Sequence, residues 1–548
     1  MTCQRILSTQ RVLAIAFLAA ALTSTGCLVG PDHCDPGAPF LPNWSRPLPE
    51  GVTNEPNDSV AWWTKFNDPV LSDMMVRTAQ SNLTLGQAYE RIAQARARRA
   101  IARGGLFPDF YMDASYSRVK SSNNGSPIGL TFTTPSFNYW SASLVDASWE
   151  IDVFGGVRRN LQAANADIDV SIEDHNAVLV SLQGEVGANY VLARTLQHRI
   201  LIAQRNAQLQ RQSLQIAQTR FDAGDTSVLD VYQAKSNLYS TESLIPTLRQ
   251  NLDVSYNRLA VLQGMPPQDL TNQVMGARQL FKIPETIAVG LPIELIRQRP
   301  DIRSAERQLA AQSARIGVAT SDLFPKFTLT GTFGVNATNI NKWFTTNSIA
   351  YNFGPTARWN VLSFGRVWGD IEYQRARWRE LVYAYQQTVL DASEEVENAL
   401  IEYRYTQVRA EELRKAVEAA QKASELSEVQ YEEGIISFQT LLDAQRFQFN
   451  LEDEYVAAHG DTYLALINLY KALGGGWQDP FAFGPIDGQE IPLEELKLEP
   501  ELSLPAPNAA GANPLDPNNP VPPDQNNEEI VPPMLNIQPM ANPPMPMN

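Results

Sequence analysis

The spacing of apolar residues along the chain switches between two periods. Residues 62–105 carry Leu71, Met74, Met75, Ala79, Leu83 and Leu85 at helical spacing, then an Ala/Arg-rich run to Arg103. Gly104-Gly105 ends that segment and Pro108 prevents a restart. The period then becomes two. Phe110, Met112, Ala114 and Tyr116 alternate with Tyr111, Asp113, Ser115 and Ser117, which predicts a strand with one apolar face. Ser121–Pro127 is turn-rich, and a returning strand is expected over Asn138–Asp152. Residues 158–222 contain no proline and only two glycines, Gly184 and Gly187. A helix of that length would span about 98 Å. From 182 to 221 its positions step by alternating fours and threes. Ten of the twelve are apolar, the exceptions being Asn189 and Gln210. That is coiled-coil spacing. Ala193, Ala203, Ala207 and Ala217 on this seam would let helices approach closely. A return helix is expected over 228–263.

The same succession then occurs again. Leu106-Phe-Pro-Asp-Phe110 reappears as Leu323-Phe-Pro-Lys-Phe327. Trp149, Phe154-Gly155, Phe221, Gly224, Ser227, Ala234, Leu259 and Gly264 recur 210 residues later. Their counterparts are Trp359, Phe364-Gly365, Tyr431, Gly434, Ser437, Ala444, Leu469 and Gly474. Two copies of this length are not a solenoid, which needs short periods and at least three repeats. The expected organisation is a first repeat over 62–270, with a hairpin at about 106–152 and a helix pair at 158–263. A second repeat over 271–477 has a helix at 300–322, a hairpin at about 323–362 and a helix pair at 366–474.

The two ends differ from this body. Arg5 and Arg11 flank a short basic region, and Val12–Leu22 is apolar but too short to span a bilayer. Residues 1–26 therefore read as a signal peptide. Ser24-Thr25-Gly26-Cys27 resembles a bacterial lipoprotein signal, with lipid on Cys27, although Ser24 stands where Leu is usual. Ordinary cleavage with an unmodified Cys27, or a Cys27–Cys34 disulfide, is the alternative. Residues 27–61, rich in Pro, Asn and Asp, would form a lipid-anchored arm. Residues 478–548 form a Pro-rich tail, expected to be disordered from about 501; residues 501–548 hold thirteen prolines and no Lys or Arg.

The net charge of −16 argues against nucleic acid as a partner. The three cysteines give no disulfide framework. The four histidines, His33, His175, His198 and His459, have no metal-ligand spacing. No nucleophile elbow, Walker loop or dinucleotide fingerprint occurs. Neither an enzyme nor a cofactor is expected.

Four alternating strands per chain fit a membrane β-barrel, with lipid on one face and water on the other. They also fit an ordinary sheet packed on helices. In lipid, four strands could not stand alone, because open sheet edges are not tolerated there. At least two chains would be needed, since about eight strands make the smallest usual barrel.

Leu291–Glu306, reading Leu-Pro-Ile-Glu-Leu-Ile-Arg-Gln-Arg-Pro-Asp-Ile-Arg-Ser-Ala-Glu, resembles the hallmark stretch of bacterial outer membrane factors, the TolC/OprM-like exit ducts. Val29-Gly30-Pro31-Asp32 is similar to the lipoprotein branch of that family. So are Trp62-Trp63 with Phe66, Asp68, Pro69 and Leu71, and both Leu-Phe-Pro elements. The resemblance covers about 27–475. It implies a membrane α+β fold: a homotrimer with a 12-strand transmembrane β-barrel continuous with a long periplasmic α-helical barrel. It also implies a passive exit duct for small molecules in a tripartite efflux system. The partners would be a periplasmic adaptor, an inner-membrane pump and outer-membrane lipid. The competing reading is a periplasm-spanning coiled-coil scaffold without a pore.

The candidate gate lies where each long helix turns back, at Phe221–Ser227 and Tyr431–Ser437. Gly224 and Gly434 suit a left-handed helix end, and Ser227 and Ser437 can cap the next helix. Turn chemistry alone accounts for all four residues. The resemblance makes these turns docking sites for adaptor hairpins. It matches Asp443 to a constriction ring, and Asp230 to a residue held by a neighbouring chain's Tyr and Arg. Tyr431 matches the Tyr, while Ile436 stands at the Arg position. A ring of carboxylates would favour cations.

Overall fold

A computed structural model describes residues 27–34, 37, 43–55, 60–120, 136–268, 270, 274, 286–294 and 298–478. The expected signal peptide, and all but the first residue of the expected tail, lie outside the described residues.

The expected helical segment over 62–105 is broken twice. A 3-10 turn, Trp62–Phe66, stops at Asn67 in the left-handed conformation (φ 52°). Helix α1 (Pro69–Ser81) starts with the Asp68 carboxylate accepting from the Val70 and Leu71 amides, and Pro69 fits the first turn. Asn82 then leaves helical geometry and caps α2 (Leu83–Gly104) by accepting from the Thr84 and Leu85 amides. Its amide nitrogen also donates 2.9 Å to the Leu262 carbonyl. Periodicity continues through these breaks because both helices bury the same side, including Leu71, Met74, Met75, Leu85 and Ile92. Each such side chain contributes about 1.5–3 kcal/mol by burial.

Four antiparallel strands form one sheet in the order β2 (Asp109–Val119), β3 (Phe137–Ile151), β5 (Lys326–Ala337), β6 (Ile349–Arg358). A separate two-residue parallel pair joins β1 (Val52–Thr53) to β4 (Ile287–Ala288). The β3–β5 register puts Asp146, Ser148 and Glu150 opposite Thr332, Thr330 and Thr328 on one face. The other face has Val145, Ala147, Trp149 and Ile151 opposite Phe333, Gly331, Leu329 and Phe327. The sheet therefore has one polar and one apolar face. A bulge at Leu144 interrupts the register of β3 with both neighbours. Strands β2 and β6 are its edges, each paired on one side only.

One hydrogen bond marks the repeat at the base of both hairpins. The Trp149 indole donates 3.0 Å to the Leu106 carbonyl, and the Trp359 indole 3.0 Å to that of Leu323. The partners are 43 residues apart in the first copy and 36 in the second, so the second hairpin is seven residues shorter.

Each hairpin leads through a left-handed glycine, Gly155 (φ 78°) or Gly365 (φ 86°), into a long helix. These helices are α3 (Gly156–Asp222) and α6 (Arg366–Glu432), each 67 residues, about 100 Å. Return helices α4 (Val228–Leu262) and α7 (Phe438–Ala472) have 35 residues each. All four bounds repeat at an offset of 210. Pro246 lies inside α4; the same register in α7 holds Val456.

Near the strands, α2 packs on α3, and α5 (Pro300–Ser321) fits between α3 and α6. At the far end, α4 packs on α3, and α7 fits between α3 and α6. Helix α3 thus has neighbours on both sides. Among the described residues α6 packs mainly on α5 and α7, and it meets α3 and α4 at its C-terminal end around Tyr431. The main core lies midway. Trp62 stacks on Tyr470 with ring centres 5.5 Å apart, beside Phe66 and Tyr463. There Arg299 donates 2.6 Å to the Ala472 carbonyl and pairs with Asp301 (2.8 Å) and Glu395 (2.7 Å). The Arg-Pro-Asp sequence is therefore a clamp on the end of α7. Among the described residues, no helix is long and apolar enough to cross a membrane.

Candidate functional site: the turns that end the long helices

Both turns close by the same backbone scheme. The Asp225 amide donates 2.9 Å to the Arg220 carbonyl, and the Ile435 amide 2.8 Å to that of Gln430. Gly224 (φ 81°) and Gly434 (φ 72°) hold the left-handed position that ends each helix. Ser227 Oγ accepts from the Leu229 amide (3.2 Å), and Ser437 Oγ from that of Thr440 (3.4 Å). The turns differ in what they expose. Each has two acidic residues, Asp222 and Asp225 in the first and Glu432 and Glu433 in the second, but the position after the glycine is Asp225 in the first and Ile435, 69% exposed, in the second.

Tyr431 is buried rather than displayed, at 2% exposure. It packs with Phe438, Leu441, Leu442, Ala217 and Ala234, so all four long and return helices meet around it. Arg220, on the last turn of α3, donates 2.6 Å to the Tyr431 carbonyl, and its guanidinium lies 4.9 Å from the ring centre. The Asp230 carboxylate is close enough to act on the same phenol. Burial first, and the Asp230 charge second, raise the Tyr431 pKa, while Arg220 opposes them. Asp230 accepts from the Thr226 hydroxyl.

Asp230 and Tyr431 meet within one chain, and the arginine beside them is Arg220, 210 residues before Gln430. Ile436, at the expected Arg position, packs into the apolar cluster. Arg220 was legible only as a cation in the last turn of α3, where it also suits the helix dipole. Asp443 stands apart: it is exposed and accepts 2.8 Å from the Gln439 amide nitrogen.

Above the turns, polar side chains join α7 to its neighbours. Glu452, 5% exposed, accepts from Asn206 of α3 (3.0 Å), Gln421 of α6 (2.8 Å) and Gln448 (2.8 Å). Arg199 and Asp453 form a two-point pair at 2.7 and 2.8 Å. Gln445 reaches Ser213 at 2.7 Å, and Arg446 reaches Asn237 of α4 at 2.8 Å. Gly460 lets the helices touch: a Cβ there would lie 2.4 Å from Thr195 Oγ1. His459 sits between Tyr455 and Tyr463. Burial, then the nearby His198, hold its pKa down; burial, then Arg194, do the same for His198.

At the opposite end of α3, Cys27 is exposed and its thiol is free. The segment after it is clamped. The Val29 amide donates 3.3 Å to the Phe154 carbonyl. Arg159, 1% exposed, donates to the Val29 (3.0 Å) and Gly30 (3.1 Å) carbonyls and pairs with Asp32 at 2.9 Å. A Cβ on Gly30 would lie 2.4 Å from the Gly317 Cα. The segment just after Cys27 is thereby held where the sheet joins the helices. Among the described residues, no group of three or more His, Cys, Asp or Glu side chains could hold a metal ion.

This arrangement matches known proteins over most of its length. The family described as outer membrane efflux protein has a model that matches residues 75–265 and 291–475, one segment in each repeat. Nodulation protein T of Rhizobium leguminosarum bv. trifolii is 32% identical over 427 residues, 78% of this chain and 89% of the relative. The pyoverdine export outer membrane protein OpmQ of Pseudomonas aeruginosa is 31% identical over 466 residues, 85% of this chain and 97% of the relative. Among solved structures, the outer-membrane channel OprN superposes with a TM-score of 0.76 at 32% identity, covering 82% of this chain and all (100%) of that one. With two profile segments, one in each copy of the repeat, and an open sheet joined to paired long helices, the chain belongs to the outer membrane efflux protein family.

Proposed function

We propose that three copies of this chain, the number implied by the family resemblance, close into a passive efflux duct. Their twelve strands would form the outer-membrane barrel, and their long and return helices a tube through the periplasm. The observation that carries this reading is the sheet with an apolar face and two unpaired edges. Such edges are not tolerated in hydrocarbon, and closure removes them. Among the described residues, helix α6 also has fewer packing neighbours than α3. A ring of alternating repeats supplies the difference.

Cys27 would carry the lipid at the rim of the barrel, where the Arg159 clamp holds the adjacent chain. The turns at Gly224–Ser227 and Gly434–Ser437 would meet a periplasmic adaptor, and an inner-membrane pump would supply energy and cargo. The relatives include outer membrane proteins named for pyoverdine export, toluene efflux and antibiotic efflux. That range supports small molecules as the cargo class. At the tip, Asp230, Tyr431 and Arg220 would hold the closed state, and Asp443 would ring the opening and favour cations.

Light scattering on the detergent-extracted protein tests the assembly. A protein mass of three chains is expected; one chain would sink the reading. For the gate, single-channel recordings of Asp443→Ala are expected to show higher conductance and weaker cation block. Unchanged values of both would remove Asp443 from the constriction.

A further inference from the structure

Within one chain, a single junction between unlike repeats is complete: β3 pairs with β5. The internal repeat makes β6 the counterpart of β3 and β2 the counterpart of β5. Both counterparts are sheet edges, with no strand on their outer sides among the described residues. The observed register can therefore be carried onto them. Ile151 opposite Phe327 becomes Val361 opposite Phe110; Trp149 opposite Leu329 becomes Trp359 opposite Met112. Ser148 opposite Thr330 becomes Arg358 opposite Asp113, and Ala147 opposite Gly331 becomes Ala357 opposite Ala114.

Two further observations, neither used to derive this register, agree with it. The first is charge. Arg358 lies opposite Lys326 in the β5–β6 pair, and like charges directly across a ladder are destabilising. Among the described residues neither Arg358 nor Asp113 forms an ion pair. The transferred register puts them face to face, on the polar side with Asp146, Ser148 and Thr330. The second is an aromatic contact made in one copy of the repeat and absent in the other. Phe154 stacks on Phe324, ring centres 4.5 Å apart. Their counterparts, Phe364 and Phe107, are 90% and 58% exposed. Phe364 also holds a left-handed backbone (φ 48°). A phenylalanine in that conformation is strained, and without a partner on the described residues it gains nothing for the strain.

We infer that the sheet closes onto a second copy of this chain in this one register. Arg358 of one copy pairs with Asp113 of the next, and Phe364 stacks on Phe107 of the next. The inference rests on the assembly proposed above but specifies more: which residue of β6 faces which residue of β2.

Cysteine cross-linking in the full chain carrying Cys34→Ser tests it. Ala357→Cys combined with Ala114→Cys is expected to give a reducible species of three linked chains after mild oxidation. Ala357→Cys with Met112→Cys, or with Tyr116→Cys, is two residues out of register. There the Cα separation exceeds the roughly 7 Å a disulfide can span, and no such species is expected. Linking through an out-of-register pair alone overturns the register and leaves the assembly standing. So does a three-chain particle in which none of the pairs links. A one-chain mass in light scattering fails the assembly itself. Charge reversal gives a second readout. Asp113→Arg or Arg358→Asp alone should lower the temperature at which the three-chain mass is lost, and the two together should restore it. If the double variant is no better than either single one, the ion pair is wrong.

Discussion

Helices α3 and α6 have the same 67-residue length and start after the same left-handed glycine, yet 25 residues of α3 are buried and 14 of α6. Matched seam positions show the difference: Ala203, Ala207 and Ala217 of α3 are at most 1% exposed, whereas their counterparts in α6 are the half-buried Leu413, Val417 at 9% and the half-buried Ser427. The ion pairs differ in the same way. Those of α3 reach other elements: Arg159 to Asp32, Arg199 to Asp453, and Asp167 to Arg315. Those of α6 run largely along its own surface, as in Arg375–Glu372, Arg377–Glu380 and Arg414–Glu411. Duplication supplied two nearly equal helices, and position in the chain made one of them interior and the other an edge. The lesson is that burial in one copy marks where the other copy needs a partner.

Four measurements would break or sharpen that contrast. Arg159→Ala should have the largest effect. It removes from the interior helix charge-assisted hydrogen bonds to the partly buried Val29 and Gly30 carbonyls, for a loss of about 3 kcal/mol; the register equivalent in α6 is Gly369, with nothing to lose. Denaturant unfolding of the extracted protein measures it, and an effect below about 1 kcal/mol would deny the clamp its role. Gly460→Ala comes next. The new methyl must push Thr195 away, costing about 1–3 kcal/mol, whereas the equivalent position in α4, Gln250, has a side chain already.

A smaller effect is a pH dependence of the α3–α7 contact. Folded His198 and His459 have pKa values below the ordinary 6.5. The unfolded chain therefore takes up protons first. Stability should be fully present above about pH 6.5 and fall as the pH drops below it toward the folded values. His459→Gln should flatten that slope, as read from unfolding midpoints at pH 7.5 and 5.5; an unchanged slope would remove His459 as a cause. Smallest of all, Arg414→Ala on the open side of α6 should leave stability unchanged, since exposed intrahelical pairs contribute little. A clear loss there would show that this surface is covered in the assembled protein.

Much of the architecture was legible because it rests on local rules. The long and return helices begin and end within about two residues of where proline, glycine and heptad spacing place them. The strands follow their period-two runs. The breaks at Asn67–Asp68 and Asn82 were missed, because a capping side chain interrupts the backbone without disturbing the apolar stripe. The β1–β4 pair was also missed, since two-residue strands carry no period. At the tip, glycine and serine announced the turn, but the partner of Tyr431 did not announce itself. Arg220 and Asp230 reach it from other helices, and only packing reveals who stands beside whom. The same holds for Glu452, whose three amide partners come from three helices. Of the two seam exceptions, Gln210 is nonetheless buried, at 3%.

Pro246 gives the two return helices different internal dynamics. Having no amide hydrogen, it leaves the Glu242 carbonyl without its helical donor. Helix α7, with the buried Val456 in that register, keeps an unbroken ladder over 35 residues. In hydrogen–deuterium exchange, α4 should therefore open from its middle as well as its ends, as two short cooperative segments. Helix α7 should exchange as one unit and more slowly. Between two elements of equal length and common ancestry, one missing proton would decide how the wall breathes.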